Sequence, residues 1–396
     1  SEVKQFYSKL GAGDQMSMVE DDDAHASTRK NREAMYAFFQ KYLDNPGSRA
    51  DMDVEIFEEA ELWATETGQL ATSLKSETIF TLNRKIAKNQ YAKLKVIRGK
   101  EDFEDHTRRV ENEAKQWSGF RYPEHFGKVL FSGRYVNKGY ILEKYLIQGS
   151  GDYMLPAALF IPVEKRNDEV VLVLDEQGME HAAGKDSLMV HSILKQGSSV
   201  LLFDLPGIGS LGPGYLRGDA YIDNTSYNQW FAGILTNKSI VGMRAEDILR
   251  IKHFIETGIE DYKTISALAI GAISSELLHA AVFDTTIQKI CLVRPFLSFT
   301  EIALEPEYKP SYIPSTVAGA IEAYDLPDLM AALCPRKVLI INPLSGSGAP
   351  AGNNKKQCDL TYPKIVFTQK GVEENFKHVV AEEGQPVYEQ IIKWLR

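Results

Sequence analysis

Residues Thr264 to Ala281 read TISALAIGAISSELLHAA. Apolar residues Ile265 to Ile270 lead to a bend at Gly271, and small and apolar residues with the composition of a helix follow. Strand, tight turn and helix in that order form the Gly-x-Ser-x-Gly elbow, which exposes a nucleophile at its apex. Laid on that pattern, Gly271 takes the first glycine, Ile273 the nucleophile position and Ser275 the second glycine. Isoleucine has no lone pair and cannot attack a carbonyl. A β-branched residue is also strained in a turn that favours φ > 0, which predicts a relaxed elbow.

On either side of this segment, apolar runs alternate with helical patterns. Strands are predicted at Glu169 to Asp175, Ser199 to Asp204, Ile265 to Ile270, Lys289 to Val293, Lys337 to Asn342 and Lys364 to Thr368. Runs such as VVLVL and VLLF suit strands buried on both faces of a parallel sheet. Before them, Lys128 to Tyr135, Tyr140 to Gln148 and Leu155 to Val163 are divided by turn signals and predict an antiparallel meander. The fold class is therefore α/β: a mostly parallel central sheet, antiparallel entry strands, helices on both faces and an N-terminal helical segment.

The N-terminal third divides differently. Residues 1–45 run from an acidic loop, Glu20 to Asp23, through His25 to a helix at Asn31 to Leu43. The end of the chain repeats that order, from Glu373-Glu374 through His378 to a closing helix. This partial repeat predicts that residues 1–45 are the tail of a preceding domain of the same kind as the one that ends the chain. Residues 46–125 are then a helical connector, with helices at Asp51 to Trp63, Ser76 to Val96 and Glu101 to Trp117, and residues 126–396 are a complete domain.

Composition narrows the function. The 396 residues carry a net charge of −9 without the basic stripe that phosphate-backbone binding requires, so nucleic acid is not an expected partner. No apolar stretch has transmembrane length, so no membrane partner is expected. Three cysteines, Cys291, Cys334 and Cys358, are too few and too scattered for a disulfide framework or a zinc site. Gly207 to Gly212 matches Gly-x-Gly-x-x-Gly, but Pro213-Gly214 follow where a helix should start, which argues against a dinucleotide. No metal or cofactor motif is present, and none is expected.

Several phrases together resemble the α/β-hydrolase superfamily, in particular acetyl-xylan-esterase-like proteins of the tandem-domain bacterial type. They are FFQKYLDNPGS, LWATETGQL, FDLPGIGSLGPG, GMRAEDILR and YDLPDLMAALCPRKVLIINP, in that order. The resemblance implies a carboxylic-ester hydrolase fold, an ester or carbohydrate ligand, an upstream hydrolase-like domain as partner, and an exported bacterial protein.

Ester hydrolysis on this fold needs a nucleophile, a histidine, an orienting carboxylate and backbone donors for the oxyanion. Ser274 is the nearest hydroxyl to the elbow, and His378 follows the last predicted strand. The resemblance places the acid close to Ser345, so Asp359, farther along the same connection, is the candidate carboxylate. Gly178, in the loop Glu176 to Met179, and Ser274 are the candidate oxyanion donors. His25 falls in the tail of the preceding domain, His181 follows the loop, and His279 lies on the helix after the elbow. Arg244 and Asp247, three apart on a helix, are expected to pair. Three readings stay open: a family member whose triad has degenerated, an active serine esterase or polysaccharide deacetylase using Ser274 and His378, and an interaction or carbohydrate-binding module.

Overall fold

The structure is a computed structural model that describes residues 1–184, 187–212, 220–222, 225–259, 262–351, 360–381 and 386–396. It divides into two compact units, Ser1–Ser76 and Glu77–Arg396.

The first unit holds α1 (Glu2–Lys9), α2 (Arg29–Tyr42) and α3 (Leu70–Ser73). Thr28 caps α2, its side chain accepting from Asn31 N. Arg32 and Tyr36 of α2 both bond Asp51. His25 is exposed in the bend before α2. The helix expected at Asp51 to Trp63 is absent apart from a short 3-10 turn, Glu59–Leu62. Acidic residues crowd that segment and none of its apolar side chains finds a core to cover, so nothing offsets the entropy of ordering a helix.

The second unit opens with α4 (Ile79–Arg98) and α5 (Phe103–Ser118). These two helices of the expected connector belong to the second unit. Arg98 Nε and Nη2 reach Asp328 Oδ1 and Oδ2, both at 2.7 Å. An antiparallel meander follows: β1 (Val129–Asn137), β2 (Tyr140–Gln148) and β3 (Met154–Pro162). The alternating part is β4 (Glu169–Asp175), α6 (Met179–Gly184), α7 (Ser187–Lys195), β5 (Ser199–Phe203), the two-residue strands β6 (Tyr221–Ile222) and β7 (Thr225–Ser226), α8 (Tyr227–Leu235), α9 (Ile240–Gly258), β8 (Thr264–Ile270) and α10 (Ser274–Phe283). After these come β9 (Ile287–Val293), α11 (Phe299–Leu304), α12 (Leu326–Ala332), β10 (Lys337–Ile341), α13 (Thr361–Gln369), β11 (Phe376–Val379) and α14 (Val387–Leu395).

The main sheet has the order β1-β2-β3-β5-β4-β8-β9-β10-β11. It is antiparallel through the β3–β5 pair and parallel from β5 onward. Alternation along the strands feeds two cores. Val170, Leu172 and Leu174 of β4 join Ile248 of α9, Leu277 of α10 and Leu329 of α12. Val171 and Val173 face the other way, against Ile193 of α7 and Trp394 of α14. Burial on both faces is why these strands read as unbroken apolar runs.

One predicted strand is a helix. Lys364 to Thr368 lies inside α13, and the last strand is β11. A short apolar run such as IVF does not discriminate strand from helix. Pro363, in the first helical turn, costs no hydrogen bond there, and Val366 and Phe367 bury one face while Ile365 stays exposed. The correction moves His378 from a loop into β11.

Candidate functional site

The elbow is present, but its apex is two residues earlier than the sequence alignment placed it. β8 ends at Ile270, and Gly271 takes φ +86°. Ile273 has φ −60° and ψ −9°, an ordinary helical conformation, and is 2% exposed in the core. Only glycine adopts the left-handed region without a Cβ penalty, so the strained position falls to Gly271 and isoleucine is left in the helix entry. The elbow has not relaxed. Its frame is Ala269-Ile270-Gly271-Ala272-Ile273, with a hydrogen atom where a nucleophile's side chain would project.

The space in front of Gly271 is filled from elsewhere. A Cβ built on Gly271 would overlap Cδ and Oε2 of Glu176, the residue that follows β4. The Glu176 carboxylate accepts the Ala272 N–H at 2.7 Å through Oε2. The N–H after the apex is one of the two donors that hold an oxyanion in this type of elbow. Backbone pairing fixes the approach: Glu176 N donates to Ile270 O at 3.1 Å. A side-chain carboxylate therefore sits on the donor that a reacting ester's oxygen would use.

The other donors of that loop are committed. Gln177 N donates to Asp175 Oδ1 at 2.8 Å, Gly178 N to Asp175 O at 2.9 Å and Met179 N to Asp204 Oδ1 at 2.7 Å. Gly178 thus has no N–H to offer an oxyanion. It is glycine for a packing reason, because a Cβ there would come within 2.5 Å of Gly209 Cα. Asp204 ties the two loops together, taking Ser210 N at 2.9 Å on its other oxygen. A 3-10 turn, Gly209–Leu211, follows Gly207-Ile208 in place of the helix a dinucleotide site requires.

Ser274 and Ser275 open α10, both buried, with N–H groups donating to Gly271 O at 3.2 Å and Ala272 O at 3.1 Å. The Ser274 N–H is therefore committed as well. Neither hydroxyl has a hydrogen-bond partner among the described residues. His378 does not approach them. It lies opposite Ile340, which lies opposite Leu292, which lies opposite Ala269. Three strand spacings separate His378 from the elbow strand, about 14 Å at ~4.8 Å each. Its Nε2 is buried without a partner among the described residues, and burial, with Lys364 nearby, lowers its pKa. Ser345 sits in a turn after β10, its hydroxyl 2.9 Å from Ser347 Oγ. Asp359 lies outside the described residues. The nucleophile and base candidates, Ser274 and His378, are not brought together.

His279 and His181 have local partners. His279 Nδ1 meets Ser275 O at 2.7 Å, and its Nε2 meets the Tyr324 hydroxyl at 2.9 Å. A carbonyl can only accept, so Nδ1 carries the proton and Nε2 accepts from tyrosine. Burial holds this ring neutral, with its pKa lowered to about 4. His181 Nδ1 lies 2.8 Å from Asp175 Oδ2.

A pocket of about 710 Å³ opens over the apex, lined among others by Glu176, Gln177, Gln229, Arg244 and Ile273. Arg244 does not pair with Asp247, as helical spacing suggested. Its Nη1 donates to Glu276 Oε1 at 2.6 Å and its Nε to Pro206 O at 2.9 Å. Ser315 Oγ also donates to Glu276 Oε1, at 2.9 Å. Burial raises the Glu276 pKa against the pull of Arg244. Asp247 instead accepts from Ser150 N at 2.7 Å and Tyr153 OH at 2.6 Å, and burial pushes its pKa up to about 6. Among the described residues no group of three or more His, Cys, Asp or Glu is placed to hold a metal, and no helix is long and apolar enough to cross a membrane.

Sequence reasoning missed Glu176 as a site residue. The available signal was local: Gly271 is the one residue of the bend suited to φ > 0, and setting the apex there brings the end of β4 against it.

No family model and no curated protein matches the chain. Solved structures do. A putative acetyl xylan esterase from Bacteroides fragilis superposes with a TM-score of 0.57 at 16% identity, over 71% of this chain and 76% of that one. A methylesterase superposes with a TM-score of 0.58 at 13% identity, over 78% of this chain and 67% of that one. With the sheet order, the parallel β/α series and the elbow after β8, these similarities establish that the chain has the α/β-hydrolase fold.

Proposed function

We propose that this chain binds a carbohydrate, or an ester of one, in the pocket over the elbow without cleaving it. The observation that carries the reading is Glu176. Its carboxylate accepts the Ala272 N–H and occupies the space in front of Gly271, where acyl transfer needs a hydroxyl and a free donor. Ser274 and His378 offer no substitute, because the hydroxyl is buried at the helix start and the imidazole is three strands away. The pocket survives, and its volume of about 710 Å³ falls within the roughly 300–1,000 Å³ of small-molecule sites. The names of the structural neighbours favour a polysaccharide-derived ligand.

The test is incubation of the full chain with an activated acetyl ester and a fluorophosphonate, read by intact mass. The expected result is no adduct and no turnover above buffer. Phosphonylation of Ser274 or Ser275, or turnover abolished by Ser274→Ala, overturns the reading.

A further inference from the structure

Among the described residues, the charge lining the pocket is unbalanced. The Glu176 carboxylate is half-buried and held by the Ala272 N–H through one oxygen only. No salt bridge to it forms among the described residues. The cation that lines the same pocket, Arg244, is spent on Glu276 at 2.6 Å and the Pro206 carbonyl at 2.9 Å. Lys309 has its Nζ 5.2 Å from the Tyr312 ring centroid and makes no ion pair among the described residues. The Tyr312 hydroxyl is buried without a partner among the described residues, and burial and the nearby Glu176 charge push its pKa to about 12. Gln177 and Gln229 add amides to the wall, and Ser311 a hydroxyl.

A ligand that fills this space displaces the water that hydrates Glu176. A sugar hydroxyl returns a hydrogen bond but leaves the charge uncompensated, whereas an ammonium returns both. A carboxylated sugar brings like charge to the same point. We propose that the pocket selects an amine-bearing saccharide, whose ammonium pairs with the Glu176 carboxylate while its hydroxyls meet the amides of Gln177 and Gln229. This deepens the binding reading above and rests on it.

The experiment is titration of the full-length chain with D-glucosamine, D-glucose, N-acetyl-D-glucosamine and D-glucuronate, followed by calorimetry and by NMR shifts of the protein. Glucosamine is expected to bind about ten- to hundredfold more tightly than glucose, the range of a charge-assisted hydrogen bond, and added salt should erode the difference. N-acetylation should abolish the advantage, glucuronate should bind worst, and Glu176→Gln should bring glucosamine to the glucose level. The N-acetyl comparison reads the charge on the unaltered protein, so it holds even if the variant shifts its loop. Equal affinity for glucose and glucosamine, or an unchanged Glu176→Gln variant, overturns the ammonium proposal and leaves the binding reading standing. Absence of any saccharide-induced shift overturns both, and ester turnover in the labelling experiment removes the binding reading itself.

Discussion

Replacing Gly271 by alanine tests the elbow directly. The methyl group carries two separable costs. Holding an L-residue at φ +86° costs about 1–2 kcal/mol. The new Cβ also overlaps the Glu176 carboxylate, which must leave the Ala272 N–H, and a hydrogen bond to a charged group is worth about 1.5–3 kcal/mol. Gly271→Ala should therefore lose about 2.5–5 kcal/mol, measured by urea unfolding followed by tryptophan fluorescence. The second cost disappears if Glu176 is already gone. In the Glu176→Ala background the glycine substitution should cost only the backbone part, so the double-mutant cycle should show a coupling of about 1.5–3 kcal/mol. Additivity within about 0.5 kcal/mol, the behaviour of independent sites, would refute the placement of the carboxylate against the apex. A negligible loss for the single variant would refute the positive φ and return the apex to Ile273.

Two further outcomes follow from buried groups. His279 has a folded pKa of about 4 against about 6.5 unfolded. The unfolded chain takes up the proton first, so stability present above pH 6.5 is lost as pH falls toward 4, by about 3 kcal/mol in all; His279→Gln should flatten the fall of the urea midpoint over that interval. Arg98→Ala should cost about 3–5 kcal/mol, because it strands the fully buried Asp328 without its bidentate partner, and Arg98→Lys should recover only part of this. A loss below 1 kcal/mol in the alanine variant would mean that α4 is not pinned to the sheet unit through this pair.

The sheet was largely legible because its signal is local. VVLVL and VLLF are buried on both faces, and a chain carries that fact in its composition. The meander was legible from turn residues such as Asn137-Lys138-Gly139. IVF at 365–367 was not, since three apolar residues fit either period and packing beside Pro363 decided for the helix. The Arg244–Asp247 pairing failed for a related reason: helical spacing gives proximity, but each side chain found a better partner across the fold, Glu276 for one and Tyr153 for the other.

The sequence by itself determined that a strand, a bend and a helix meet around Gly271, and that glycine is the residue there able to take a left-handed turn without penalty. It did not determine what faces that turn. The Glu176 carboxylate reaches the Ala272 N–H from 96 positions away, and only the pairing of β4 with β8 brings the two together. Conformational preference is a property of a residue and its neighbours along the chain, whereas occupancy of the elbow depends on which strand lies beside it, which the folded sheet alone decides.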